Sequence, residues 1–137
     1  MYIIFDEQII DSEEIKNLIE EKSNFKVEKD MCKATKREDV LAYLLTLDVD
    51  LIKKEIEEEY DLQDMEMEDL FEEYMELAEE KALELEELMP IYSIMEAKAY
   101  KWDMSENKIK TVMAVTHTDL GTLKLSDVVK RLLSETD

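Results

Sequence analysis

A chain of 137 residues with 37 acidic and 17 basic side chains carries a net charge of −20 at pH 7, which argues against direct binding of nucleic acid because phosphate repels such a surface. Its 45% apolar content is enough for a core, so wholesale disorder is excluded despite the charge. One cysteine leaves no disulfide framework or cysteine-built zinc site, one glycine argues against a loop that wraps a phosphate, and no run reaches the ~20 apolar residues of a membrane span.

Residues 2–5 (Tyr-Ile-Ile-Phe) read as a short strand, and Asp6 and Glu7 directly after them are the wrong flank for a signal peptide. Asp11-Ser12-Glu13-Glu14 offers a cap and an acidic first turn for a helix over about 12–22, with Ile15, Leu18 and Ile19 inward. Residues 25–28 alternate and suggest a second strand running toward Cys32. Thr35 with Glu38 three places on resembles a capping box, opening a helix with Val40, Leu41, Leu44, Leu45 and Leu47 on a broad apolar face. Asp48 or Asp50 caps a further helix over 51–60.

The longest predicted helix covers about 65–89 and is stopped by Pro90, which lacks a donor and crowds the preceding turn. Beyond it, residues 96–102 alternate, Asp103 to Asn107 supply turn residues, and Lys108 to Thr116 resume in β-branched alternation, giving an antiparallel hairpin. Asp119-Leu120-Gly121 reads as a turn, Thr122 to Leu125 as a further strand, and Ser126 as the cap of a closing helix. The expected fold class is α+β, mostly helical, with the long acidic helix packed on a small antiparallel sheet that includes the C-terminal hairpin. One domain is expected over 1–137, with an α/β N-terminal part (1–47), an acidic helical middle (48–89) and a hairpin plus terminal helix (91–137). The lone cysteine points to a reducing, cytoplasmic setting.

Charge is concentrated in the middle: residues 48–89 hold 19 acids against Lys53, Lys54 and Lys81, and Glu55 to Glu80 holds fourteen carboxylates with no base among them. Solvated helices usually mix lysine among glutamate, because like charges at i,i+4 repel by about 0.2–0.5 kcal/mol per pair. At 100° per residue Glu66, Asp69, Glu73, Glu76, Glu80, Glu84 and Glu87 fall into one stripe about 80° wide. Phe71, Met75, Ala78, Ala82, Leu85 and Met89, spaced 4-3-4-3-4, form an apolar seam that faces either a core or a partner. Tyr60 and Tyr74 adjoin the carboxylates, and Tyr100 and Trp102 share a face of the expected hairpin.

Nothing in the sequence points to an enzyme. The single histidine, His117, has only Asp119 nearby, and Cys32 beside Lys33 is better read as a core residue than as a reactive thiolate. Nucleotide-binding and nucleophile-elbow motifs are missing. One histidine cannot supply a di-iron bundle, and the run Asp61 to Asp69 lacks the glycine and spacing of a calcium loop, so no cofactor and no metal site are expected.

Carboxylates every third or fourth residue on a helix repeat at roughly 5 Å, a density comparable to the ~3.4 Å phosphate spacing of one DNA strand. The stripe could therefore occupy the basic groove of a nucleic-acid-binding protein. In size and acidity the chain resembles phage- and plasmid-encoded anti-restriction and anti-CRISPR proteins, which commonly block host nucleases by imitating nucleic acid. That resemblance is one of composition; it implies a non-enzymatic inhibitor whose partner is a basic nuclease. The alternative expectation is an oligomeric scaffold or adaptor, a homodimer joined through the Phe71 to Met89 seam, with the acids serving solubility.

Overall fold

The computed structural model describes residues 1–60 and 63–136. Asp61, where the run scanned for a calcium loop begins, lies outside the described residues. The chain opens with β1 (Tyr2–Phe5) and β2 (Gln8–Asp11), an antiparallel pair joined by a two-residue turn in which Asp6 takes φ 56°. Asp11 accepts the Glu13 amide at 3.0 Å and caps α1 (Ser12–Lys22), which leads into β3 (Lys26–Asp30).

Next comes β4 (Val40–Asp48), then α2 (Lys53–Glu59), α3 (Met67–Leu83), a 3₁₀ turn at Glu84–Leu88, the hairpin β5 (Ser93–Asp103) and β6 (Lys108–His117), and α4 (Thr122–Ser134). The architecture is α+β: among the described residues there are four α-helices, a two-stranded sheet and a four-stranded sheet of order β3-β4-β6-β5, all antiparallel between neighbours. Because β4 and β5 both run antiparallel to β6, they are parallel to each other. The segment between them must therefore cross the sheet from one end to the other.

Two apolar layers sandwich the four-stranded sheet. Leu41, Tyr43, Leu45, Leu47, Ile109, Met113 and Val115 belong to a core shared with α1, α3 and the β1–β2 pair. On the other face Val40, Ala42, Leu44, Val112 and Ala114 pack with Leu125, Val128, Val129 and Leu132 of α4. The fully buried Tyr43 hydroxyl donates to the Ser12 carbonyl at 2.8 Å, tying the central strand to the first turn of α1. From α3, Tyr74, Ala78 and Ala82 face the sheet, and the two alanines let the helix backbone approach closely.

Several expectations are corrected. The helix expected to open at the Thr35 to Glu38 pattern and to end at Asp48 or Asp50 is the central strand β4, preceded by a 3₁₀ turn at Lys33–Thr35 and by Lys36 at φ 57°. A strand covered on both faces has no alternation to display, so its leucines mimic a helix face. Thr35 serves a turn instead of a capping box, accepting the Arg37 amide at 3.1 Å and donating to the Cys32 carbonyl at 2.7 Å. With that helix lost the fold is not mostly helical, since helix accounts for 44% of the described residues. Residues 122–125, expected as a strand, begin α4 because Leu125 belongs to the same helix face as Val128, Val129 and Leu132. The helix expected over 51–60 is a 3₁₀ turn at Val49–Leu51 followed by α2, and β2 had no counterpart in the sequence reading. The helix expected over 65–89 is α3 plus the 3₁₀ turn, with Glu66 as its N-cap.

Candidate functional site: a carboxylate cleft between two helices

α2 and α3 lie beside each other with their acidic faces turned to a common cleft of about 490 Å³. Glu73, Glu76, Glu80 and Glu84 enter it from the α3 side, and Glu55, Glu58 and Glu59 from α2. Four of the seven stripe residues are thus brought together. Glu66 and Asp69 stand exposed at the start of α3 outside this lining, and Glu87 borders a different hollow, beside Lys22 and Phe25. The departure at Glu87 follows from the 3₁₀ turn, which rotates about 120° per residue and carries the stripe off its line.

The α2 carboxylates were missed by attention to the longer helix. Their signal was present, because Glu55, Glu58 and Glu59 recur at i, i+3 and i+4 and so share one face. One cation enters the lining: Lys81 pairs with Glu55 at 3.0 Å, and that hydrogen-bonded carboxylate holds its ammonium above the ordinary value. At the mouth, the Tyr60 hydroxyl donates to Glu73 Oε2 at 2.9 Å, and the carboxylate it serves pushes the phenol up. This bond fixes one stripe carboxylate against the end of α2.

The apolar seam has a different fate. Ala78, Ala82, Leu85 and Met89 are buried in the chain's own core, Met75 is half-buried and only Phe71 is exposed. The seam is largely taken up by the sheet, so it does not present a continuous face to a second copy. Tyr100 and Trp102 do not share a face, because a β-bulge between Ala99 and Lys101 breaks the alternation. Trp102 packs with the α3 layer and Tyr100 with the α4 layer.

No match to this chain is found among protein-family models, curated proteins or solved structures. Its chemistry therefore rests on the groups it displays.

Among the described residues, no three His, Cys, Asp or Glu side chains are arranged to hold a metal ion. The His117 Nδ1 accepts the Asp119 amide at 3.1 Å, so its 3.3 Å approach to the Asp119 carboxylate is not a hydrogen bond, and the pair secures a turn. Cys32 is fully buried, and burial pushes its thiol up to about 12. The cleft itself is a concave, almost one-signed array of carboxylates, with Lys81 the one cation in its lining.

Proposed function

We propose that this chain is an acidic mimic of nucleic acid that occupies the basic nucleic-acid groove of a defence nuclease, of the restriction or RNA-guided type, and is encoded by a phage or other mobile element. The observation that carries this reading is the convergence of seven carboxylates, six from α2 and α3 and Glu84 from the 3₁₀ turn that follows, on one cleft containing a single paired lysine. Their elements are anchored to the core by apolar faces, α2 by Ile56, α3 by Tyr74, Ala78 and Ala82, and the 3₁₀ turn by Leu85. An anionic surface that is already ordered binds with little further loss of conformational entropy. In this role the protein uses no catalysis and no cofactor, works in the cytoplasm where its target works, and competes with nucleic acid for lysine and arginine side chains. Complex formation would weaken steeply with salt, as does binding of nucleic acid itself.

The test is phage plating or plasmid transformation in cells that carry a restriction or RNA-guided system and express the chain. The control is a Glu73→Lys/Glu76→Lys/Glu80→Lys variant. The wild type should restore infection and the variant should not. Equal protection by the wild type and the folded variant would overturn the assignment of this surface, and absence of effect across several systems would overturn the inhibitor reading.

A further inference from the structure

A second depression of about 490 Å³ runs along the outer edge of β5, between α3 and α4. Its floor is apolar, built from Phe71, Met75, Ala99, Tyr100 and Leu133. Phe71 is 39% exposed, with Met75 one turn on beside it in the floor and Glu72 and Glu76 at the border of the groove. Its ring is stacked on Trp102, with centroids 6.1 Å apart and planes 14° from parallel, and Trp102 is held in turn by Tyr74 and by donating its indole N–H to the Asn107 side-chain Oδ1 at 3.2 Å. An exposed aromatic fixed in this way loses little freedom when it is covered, which is the character of a binding anchor.

Charge decides what can cover it. Lys98 borders the groove but is tied to Glu79 at 3.4 Å, and Glu79 also accepts the Ala99 amide at 2.9 Å, so these two groups largely satisfy each other. Glu72 and Glu76 leave the rim negative. A second copy of this chain would bring the same carboxylates to the same place and be repelled. We propose that the groove receives a short cationic segment of a protein partner, with lysine or arginine at the Glu72 and Glu76 rim and one aliphatic or aromatic side chain seated on Phe71 and Met75. This deepens the nucleic-acid-mimic reading and rests on it: the carboxylate cleft attracts basic proteins as a class, and the groove selects among them, because an apolar anchor contributes where a polyanion alone would not.

The experiment titrates the 137-residue chain with two peptides of lysine and arginine, one with a central leucine and one with serine in its place. The readout is fluorescence of Trp102, the only tryptophan, at about 50 and 300 mM NaCl. The leucine peptide should bind roughly fivefold tighter or more, the effect of burying a few methylenes. That preference should vanish in Phe71→Ser and in Met75→Gln, with far-UV circular dichroism unchanged and salt dependence retained. Equal binding of the two peptides to the wild type, or a preference that survives both variants, overturns the groove while leaving the acidic reading intact. Failure of both peptides to bind at the lower salt overturns the acidic reading together with the groove. A dimer in sedimentation that requires Phe71 makes a second copy the occupant and overturns the proposal.

Discussion

Glu76 occupies the most repulsive position on α3, because Glu72, Glu73, Glu79 and Glu80 stand at i−4, i−3, i+3 and i+4 around it. Each like-charged pair at these spacings destabilises a helix by about 0.2–0.5 kcal/mol at low salt, so four give about 1–2 kcal/mol. Two of the four neighbours are already engaged, Glu73 by the Tyr60 hydroxyl and Glu79 by the Ala99 amide and Lys98, which favours the lower end. Glu76→Gln should therefore stabilise the fold by about 1 kcal/mol, raising Tm by about 3–5 °C for a chain of this size. Glu76→Lys should gain roughly twice as much, because repulsions become attractions. Thermal and urea unfolding followed by circular dichroism at about 20 and 500 mM NaCl would measure both, with the gain shrinking at the higher salt as screening takes over. A glutamine variant no more stable than the wild type at low salt, or a gain identical at both salts, would refute the claim that this surface is held against its own repulsion. A stability gain joined to lost inhibition would mark the carboxylates as retained for binding.

Three further outcomes follow from buried or half-buried polar groups. Tyr43→Phe should destabilise by about 1–2 kcal/mol in urea unfolding, because the Ser12 carbonyl loses its buried donor; a neutral result would show that water or a rearranged Ser12 replaces it. Burial disfavours the charged form of Asp30, yet hydrogen bonds from the Cys32 amide at 2.9 Å and the Ser12 hydroxyl at 2.7 Å outweigh it and hold the carboxyl below its ordinary value. Its stabilisation is thus fully present above the unfolded carboxyl value and lost as pH falls through the folded one, so the deficit of Asp30→Asn should be constant near neutrality and narrow below about pH 4; a deficit that persists unchanged into stronger acid would count against this assignment. The Cys32 thiol, pushed up to about 12 by burial, should resist an aromatic disulfide reagent at pH 8 in the native protein and react promptly in denaturant. Rapid native labelling would contradict that burial.

The first helix and the C-terminal hairpin were legible in the sequence, and the central strand β4 was not. Residues 12–22 show the periodicity of a half-covered helix, while the turn residues 103–107 and the β-branched run after Lys108 mark the hairpin even though β6 is covered on both faces, and the expected positions lie close to α1, β5 and β6. β4 failed because coverage by α3 on one face and α4 on the other removes the polar alternation that would have marked it as a strand. The stripe residues could be aligned on one helix, but the neighbour bearing Glu55, Glu58 and Glu59 depends on how the chain crosses the sheet, which no local pattern encodes. Phe71 looked like the first residue of a seam. Only the position of Trp102 against it shows that the ring is instead displayed.

The crossing between β4 and β5 has a consequence for when the molecule acquires its surface. β5 is an edge strand whose one neighbour is β6, and β6 must enter between it and β4, so that Asp48 comes to lie opposite Lys108. During synthesis the whole acidic segment emerges before the strand that completes the sheet. Until then α3 lacks Ile109 and Met113, part of the core it shares, and its carboxylates favour an extended, fluctuating chain. A nascent or truncated polypeptide would carry the full negative charge without the array. Ordered display of the carboxylates is thereby reserved for chains that have finished folding.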